Sequence, residues 1–286
     1  MPQNSKMIAT IGPSGDVMLY HTDEKESSKN GGVVGKCKGH GDEGYGLRWS
    51  PATSGRLVSA SNDGTICFWD ASNPSMSMKP VAKLSSKTGS INDVAVSVSN
   101  GDLAWSVGED KSINSWDARK KGGPISTRAN AHDGEIMCID ASIHKEHLLL
   151  TGSVDSTVKL WDSRNMKNFI HSMEDVHTDD VTSVRWSPHH PSFFMSAGSD
   201  RRVNVWDLGR IGQEQNEEDG RDGPPELLFV HGGHTGIVND VAWCLSGNGN
   251  DFLIASVADD NIVQCWQMQK NLYAEEEEQI DAMELE

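Results

Sequence analysis

Five tryptophans recur in this chain at a fixed distance from an aspartate, and that recurrence limits the possible folds more than any other feature. Trp69, Trp116, Trp161, Trp206 and Trp266 each follow an aspartate by six residues: Asp63, Asp110, Asp155, Asp200 and Asp260. Asp70, Asp117, Asp162 and Asp207 come directly after the first four, Gln267 after the fifth, and Tyr20 stands where an earlier tryptophan would fall. His40, His132 and His177 lie 29 residues before their tryptophans, whereas His234 precedes Trp266 by 32 because Ser246–Asp251 is inserted. Between these markers run short β-branched and aromatic segments such as Val181–Trp186, Phe193–Ala197 and Val203–Trp206. Period-two alternation broken by frequent turns means antiparallel strands. A repeat of 45 to 49 residues with four strands in each describes the blades of a β-propeller. The expected fold class is therefore all-β, a propeller of four-stranded antiparallel blades.

Charge narrows the partners. Acidic residues outnumber basic ones 42 to 25 in 286 residues, for a net charge of -17. The segment 274–286 holds seven acids and no base. Such a surface repels phosphate backbones, which proteins bind by neutralising them with Lys and Arg, so direct nucleic-acid binding is not expected. Basic proteins or peptides suit it better. The five cysteines, Cys37, Cys67, Cys138, Cys244 and Cys265, are odd in number, widely spaced and in apolar surroundings, which reads as reduced core thiols. No Cys/His spacing suits a structural zinc, so no metal or cofactor is expected. No apolar run approaches the roughly 18 residues of a membrane span.

Taken together, the Gly-His, Ser/Ala-x-Asp and Trp-Asp markers resemble the WD-repeat family over nearly the whole chain. The resemblance implies that histidine, turn aspartate, a strand Ser/Thr and tryptophan form a buried hydrogen-bonded set in each blade, so that His132, Asp155 and Trp161 are structural. One blade departs, with Lys87 in place of the histidine and Val96 where Trp49, Trp186 and Trp243 stand elsewhere; it is expected to be the loosest. The propeller is expected over 1–273, with a partial blade at 1–38, blades at about 39–84, 85–128, 129–174 and 175–230, a final blade at 231–270, and a disordered acidic tail at 274–286. The family's seven blades need 28 strands, whereas about 22 are expected here. An N-terminal helix and first blade of longer relatives are thus expected to be absent, with Met1 matching an internal methionine; the alternative is a six-bladed or open ring with unpaired edges.

Other stretches are more specific. Gly39–Trp49, Asp200–Leu208, the double-proline segment Asp222–His234, and the ending Asp260–Met268 with Asn271-Leu272-Tyr273 look like the retinoblastoma-binding or MSI-type histone-binding proteins, the small subunits of chromatin assembly factors. That resemblance implies a non-catalytic nuclear (partly cytoplasmic) scaffold and histone chaperone, shared by chromatin assembly, acetyltransferase, deacetylase, remodelling and Polycomb-type complexes, with histones H3-H4 as partners. By position, Asp219 and Asp222 would meet arginines of a histone H4 helix. Gly223 and Pro224 would shape the loop, Phe229, Val230 and Leu272 would form an apolar floor, and Asn271 a polar edge. Glu43, Tyr45, Glu135 and Asp180 would ring the top face and take a histone H3 tail or similar basic peptide. Asn92, Met137 and Thr182 depart from the acid, amide and aromatic that the resemblance implies there.

Two other function classes compete. For an enzyme, no Ser/His/Asp or Cys/His set has motif support, and His189-His190 before Pro191 reads as an exposed turn. For a substrate receptor of a cullin-type ubiquitin ligase, Trp116-Asp117-Ala118-Arg119 and Trp161-Asp162-Ser163-Arg164 match the Trp-Asp-x-Arg motif of such receptors, with Arg119 and Arg164 as the adaptor contacts. The histone-binding family shows the same motif, and either arginine could serve its own blade instead.

Overall fold

A computed structural model describes residues 1–22, 30–86, 88–216, 219–246 and 249–273. Lys87, Glu217 and the acidic segment 274–286 therefore lie outside the described residues, as do the side chains of Asp219 and Asn271. Among the described residues the 22 strands expected from the repeat form six antiparallel sheets, four of four strands and two of three, against the family's seven.

The first sheet is β1 (Met7–Ile11), β2 (Val17–His21) and β3 (Val33–Cys37). The second runs β4 (Leu47–Trp49), β5 (Arg56–Ala60), β6 (Thr65–Asp70) and β7 (Ala82–Ser85), and the third β8 (Ile91–Val96), β9 (Leu103–Gly108), β10 (Ile113–Asp117) and β11 (Ser126–Arg128). The fourth is β12 (Ile136–Ala141), β13 (Leu148–Ser153), β14 (Val158–Asp162) and β15 (His171–Met173). The fifth is β16 (Val181–Trp186), β17 (Phe193–Gly198), β18 (Val203–Asp207) and β19 (Leu227–His231), and the last β20 (Val238–Trp243), β21 (Leu253–Ala258) and β22 (Val263–Gln267). Each sheet is a meander, and each inner strand packs on the next, β4 on β8, β8 on β12, β12 on β16 and β16 on β20.

The aspartate six residues before each tryptophan makes the turn between the second and third strands. Oδ1 of Asp63, Asp110, Asp155, Asp200 and Asp260 accepts the backbone N–H two residues on, at 2.9 to 3.1 Å. An aspartate can close such a turn with its own side chain, which is why this position favours it. The next residue takes positive φ in every sheet: Gly15, Gly64, Lys111, Ser156, Arg201 and Asn261.

From this turn a proton chain runs inward. In the fourth sheet Trp161 Nε1 donates to Thr151 Oγ1 (2.9 Å), the Thr151 hydroxyl bonds His132 Nε2 (2.7 Å), and His132 Nδ1 meets Asp155 (3.0 Å). His177–Ser196–Trp206–Asp200 and His234–Ser256–Trp266–Asp260 repeat it. In the second sheet His40 Nε2 bonds Ser59 (2.6 Å) but Nδ1 turns to Thr65 (2.8 Å), leaving Asp63 at 3.7 Å. Buried polar groups must be paired, and here each donor finds one acceptor. Burial lowers the His132 pKa, and it lowers that of His40 to about 4 against the opposing pull of Asp63. At Asp63 burial is outweighed by hydrogen bonds from Thr65 and Gly41, and its pKa falls to about 2. In the third sheet Trp116 Nε1 bonds Ser106 (2.9 Å).

All six residues of β13, in the fourth sheet, are buried. The end sheets each leave a face in solvent. Val263 is 67% exposed, Ile262 49% and Ile8 45%. Cys265 is exposed and Cys244 partly so, so only Cys37, Cys67 and Cys138 are the buried thiols expected. Burial pushes the thiols of Cys37 and Cys67 up to about 12.

Candidate functional site

Two concavities are lined by several of the residues singled out from the sequence. The first lies where β18 passes into β19. Asp207 caps a short 3-10 turn, Leu208–Arg210, by accepting from Gly209 N (2.9 Å). Arg210 then reaches Asp207 (3.5 Å) and donates from Nη2 to the Leu272 carbonyl (3.3 Å), strapping the C-terminal turn Lys270–Leu272 against the loop. Tyr273 stacks on Phe252 at 3.9 Å and fixes that turn from its other side.

The double-proline segment closes the loop. Gly223 has φ +139°, a backbone conformation that a side chain disfavours. Leu227 N bonds the Pro224 carbonyl (2.9 Å), and Asp207 N the Glu226 carbonyl (2.9 Å). Glu226 is buried and accepts from His171 Nε2 at 2.7 Å, tying the loop to β15 of the preceding blade. A register shift between Val205 and Trp206 opposite β19 leaves Leu228 as the extra residue. The resulting cleft, about 570 Å³, is lined by Arg210, Asp222, Gly223, Pro224, Leu227, Leu228 and Leu272, with the Gln213–Asn216 segment alongside.

The structure thus brings Asp222, Gly223, Pro224 and Leu272 together. Phe229 lies instead against Trp266, 5.7 Å between ring centres, and Val230 is exposed beyond the cleft. The apolar floor is Leu227, Leu228 and Leu272. Sequence reasoning passed over Arg210 and the leucine pair; the Leu-Leu immediately after Pro-Pro-Glu was the available signal.

The second concavity is the mouth of the central channel, about 320 Å³, lined among others by Tyr45, Arg48, Asn92, Asp93, Met137, Thr182 and Arg185. Asn92, Met137, Thr182 and Asn239 sit where the four full-length inner strands shift register against their neighbours, one extra residue in each. A bulge re-aims its side chain out of the pleat, and here all four turn to the channel. Asn92 Nδ2 bonds Glu135 Oε1 (2.8 Å) and the Ile136 carbonyl (2.9 Å), while Thr182 donates to the carbonyls of Ala197 and Val238. Tyr45 is 66% exposed, and the Glu43 carboxylate raises its pKa. Burial, then the charges of Asp179 and Glu135, raise that of Asp180. Of the four residues expected to ring the top face, Tyr45 lines the mouth and Glu135 is tied to it through Asn92, while Glu43 and Asp180 are not among the lining residues.

Below the mouth a ring of charges stitches the blades. Asp93 accepts from Ile139 N (3.1 Å), Asp140 from Trp186 N (2.8 Å), and Ser183 donates to Asp240 (2.9 Å). Arg185 pairs with Asp240 at 2.9 Å, and Arg48 lies 3.6 Å from Asp93. Burial raises the Asp140 pKa against the opposing pull of Arg48 and Arg185. Asn-Asp-Val-Ala occurs at both 92–95 and 239–242, and that repeat was the unread sign of this ring.

Elsewhere, Arg119 and Arg164 each fork onto the aspartate of their own Trp-Asp pair, Asp117 (2.8 Å) and Asp162 (2.6 Å). His189 and His190 are not an exposed turn: His189 bonds the Cys244 carbonyl (2.7 Å) and His190 stacks on Phe252 (4.8 Å). No group of His, Cys, Asp and Glu among the described residues could hold a metal ion.

The family model described as WD domain, G-beta repeat matches residues 31–70, 123–162, 168–207 and 225–267, more than half of the chain. The chain belongs to the WD40-repeat family. Its matched segments leave between them the stretch 71–122, which holds Val96 and all but the outer strand of the blade without a repeat histidine. A WD40 propeller is a protein-interaction scaffold: it presents loops and grooves on a rigid ring, and both concavities here are of that kind.

Proposed function

We propose that this WD40 propeller is a non-catalytic histone-binding scaffold of nuclear chromatin assembly and modifying complexes. The observation that carries the reading is the double-proline cleft, in which an apolar floor of Leu227, Leu228 and Leu272 lies beside the Asp222 carboxylate. That pairing suits an amphipathic basic helix, laying its apolar stripe on the leucines and its arginines toward the acids, as the histone H4 helix would. A buried aliphatic anchor contributes roughly 1.5 to 3 kcal/mol, against about 0 to 1 kcal/mol for an exposed ion pair. The leucines would set affinity and the acids the choice of partner and the association rate.

The channel mouth supports a second contact of the same scaffold. Glu43, Tyr45, Glu135 and Asp180 offer acid and an aromatic rim to a basic peptide such as the histone H3 tail. Asn92 already bonds Glu135, and Thr182 bonds two carbonyls, so both have local partners. The ligase-receptor reading has less support, because Arg119 and Arg164 are each answered within their own blade.

Titration of H3-H4 into the chain, and into one with residues 217–225 replaced by a Gly/Ser linker, tests the reading. At least a tenfold loss of affinity is expected. Equal affinity would remove the cleft as the histone site.

A further inference from the structure

The fold sets two acid-free stretches of this acidic chain side by side, both of them basic. Residues 118–132 carry Arg119, Lys120, Lys121 and Arg128 between Asp117 and Asp133; residues 163–173 carry Arg164 and Lys167 between Asp162 and Glu174. The first contains β11, the outermost strand of its blade, and the second is the connection from β14 toward the outermost strand of the next. Between them opens a cleft of about 410 Å³ whose walls include Ser126, Arg128, Ser163, Arg164, Asn165 and Lys167, with no Asp or Glu.

Charge in this cleft is unbalanced. Arg164 is answered by Asp162 through Nε (2.9 Å) and Nη2 (2.6 Å), yet its side chain stays 68% exposed. Arg128 and Lys167 form no ion pair among the described residues. Arg128 lies with its guanidinium carbon 5.9 Å from the centre of the Trp161 ring, and its buried Nε has no hydrogen-bond partner. The indole packs that guanidinium in place without neutralising it. Net of Asp162, two positive charges remain.

The rim is apolar. Phe169 stands edge-on to Trp161 at 6.1 Å and is 45% exposed, and Ile170 beside it is 53% exposed. On the other side, Ser126 and Thr127 of β11 are exposed, and among the described residues this strand pairs only with β10. A free strand edge can take up an extended peptide by backbone hydrogen bonds.

We propose that this cleft binds a peptide segment bearing phosphoserine or phosphothreonine. A phosphate monoester carries about 1.5 to 2 negative charges near neutral pH and three acceptor oxygens. It matches the two uncompensated cations, and its oxygens have Arg128, Lys167 and the free edge of the Arg164 fork as donors, with the Ser126 and Ser163 hydroxyls alongside. A carboxylate carries half that charge. The peptide runs along β11 and sets an apolar side chain on Phe169 and Ile170. A nucleic-acid strand fits less well, because the basic patch is short and the chain around it has a net charge of -17.

The test uses the whole chain and fluorescence anisotropy of a labelled nine-residue degenerate peptide pool with phosphoserine or phosphothreonine at its centre. Matching pools carry Ser/Thr or Glu there, and inorganic phosphate and a nine-base oligothymidine serve as competitors. The phosphorylated pool should bind at least tenfold more tightly than either other pool, and Lys167→Glu and Arg128→Gln should each weaken it at least tenfold. Lys167 is exposed, so Lys167→Glu should keep the parent's unfolding midpoint and remains informative if Arg128→Gln disturbs Trp161. Any one of four results overturns the proposal. These are no saturable binding of the phosphorylated pool, equal binding of the Ser/Thr or Glu pool, displacement by the oligonucleotide at lower concentration than by phosphopeptide, and no effect of Lys167→Glu.

Discussion

Thr151→Val probes the proton chain that defines each blade. Thr151 is fully buried, and its hydroxyl oxygen accepts from the Trp161 indole while its proton goes to His132 Nε2. Valine has nearly the same shape, so the substitution leaves packing intact and removes only the hub. Two buried groups then lose their partners, the Trp161 N–H and the His132 Nε2 lone pair. Each orphaned group costs about 1 to 3 kcal/mol, so the expected loss is roughly 2 to 6 kcal/mol. That is a large share of the roughly 5 to 15 kcal/mol by which a domain is stable. The control is Ser106→Ala in the third sheet, where the buried hydroxyl serves Trp116 (2.9 Å) and the loss should be roughly 1 to 3 kcal/mol. Urea unfolding followed by tryptophan fluorescence, with the denaturant slope unchanged, gives both numbers. If Thr151→Val costs no more than Ser106→Ala, the histidine draws nothing from the threonine, and the linked-chain account is wrong.

Two further outcomes follow from the turns and the buried histidines. The folded-state pKa of His40, lowered to about 4, lies below the ordinary value of 6.5, so the unfolded chain takes up the proton first. Its contribution is complete above pH 6.5 and lost as the pH falls from there toward 4, about 3 kcal/mol in all. Asp63, lowered to about 2, extends the loss below pH 3.8; a urea midpoint that stays flat from pH 7 to pH 5 would contradict this. Gly15→Ala should cost more than about 2 kcal/mol in a thermal melt, since φ is +69° and a Cβ there would sit 2.3 Å from the Asp42 carbonyl oxygen. A neutral result would mean that Gly15 does not lie tightly against the Asp42 backbone.

Periodicity determined the all-β class and the 22 strands, and the family resemblance implied the roles of His132, Asp155 and Trp161; all of these rest on near neighbours in the chain. An aspartate that closes its own turn needs only the next two residues, and a tryptophan ten residues after a Ser or Thr meets it across one hairpin. What joins distant repeats was decided by tertiary structure. The bulges that aim Asn92, Met137, Thr182 and Asn239 into one channel, and the inter-blade bonds of Asp93, Asp140 and Asp240, depend on which strand lies beside which. The double-proline segment was conspicuous in the sequence, yet only the strap from Arg210 to Leu272 shows what it faces, 62 residues further along the chain. Likewise, the acid-free stretches 118–132 and 163–173 could be read singly from the sequence. Their meeting at Arg128 and Lys167 could not, since charges become a site only when the fold brings them within reach of one ligand.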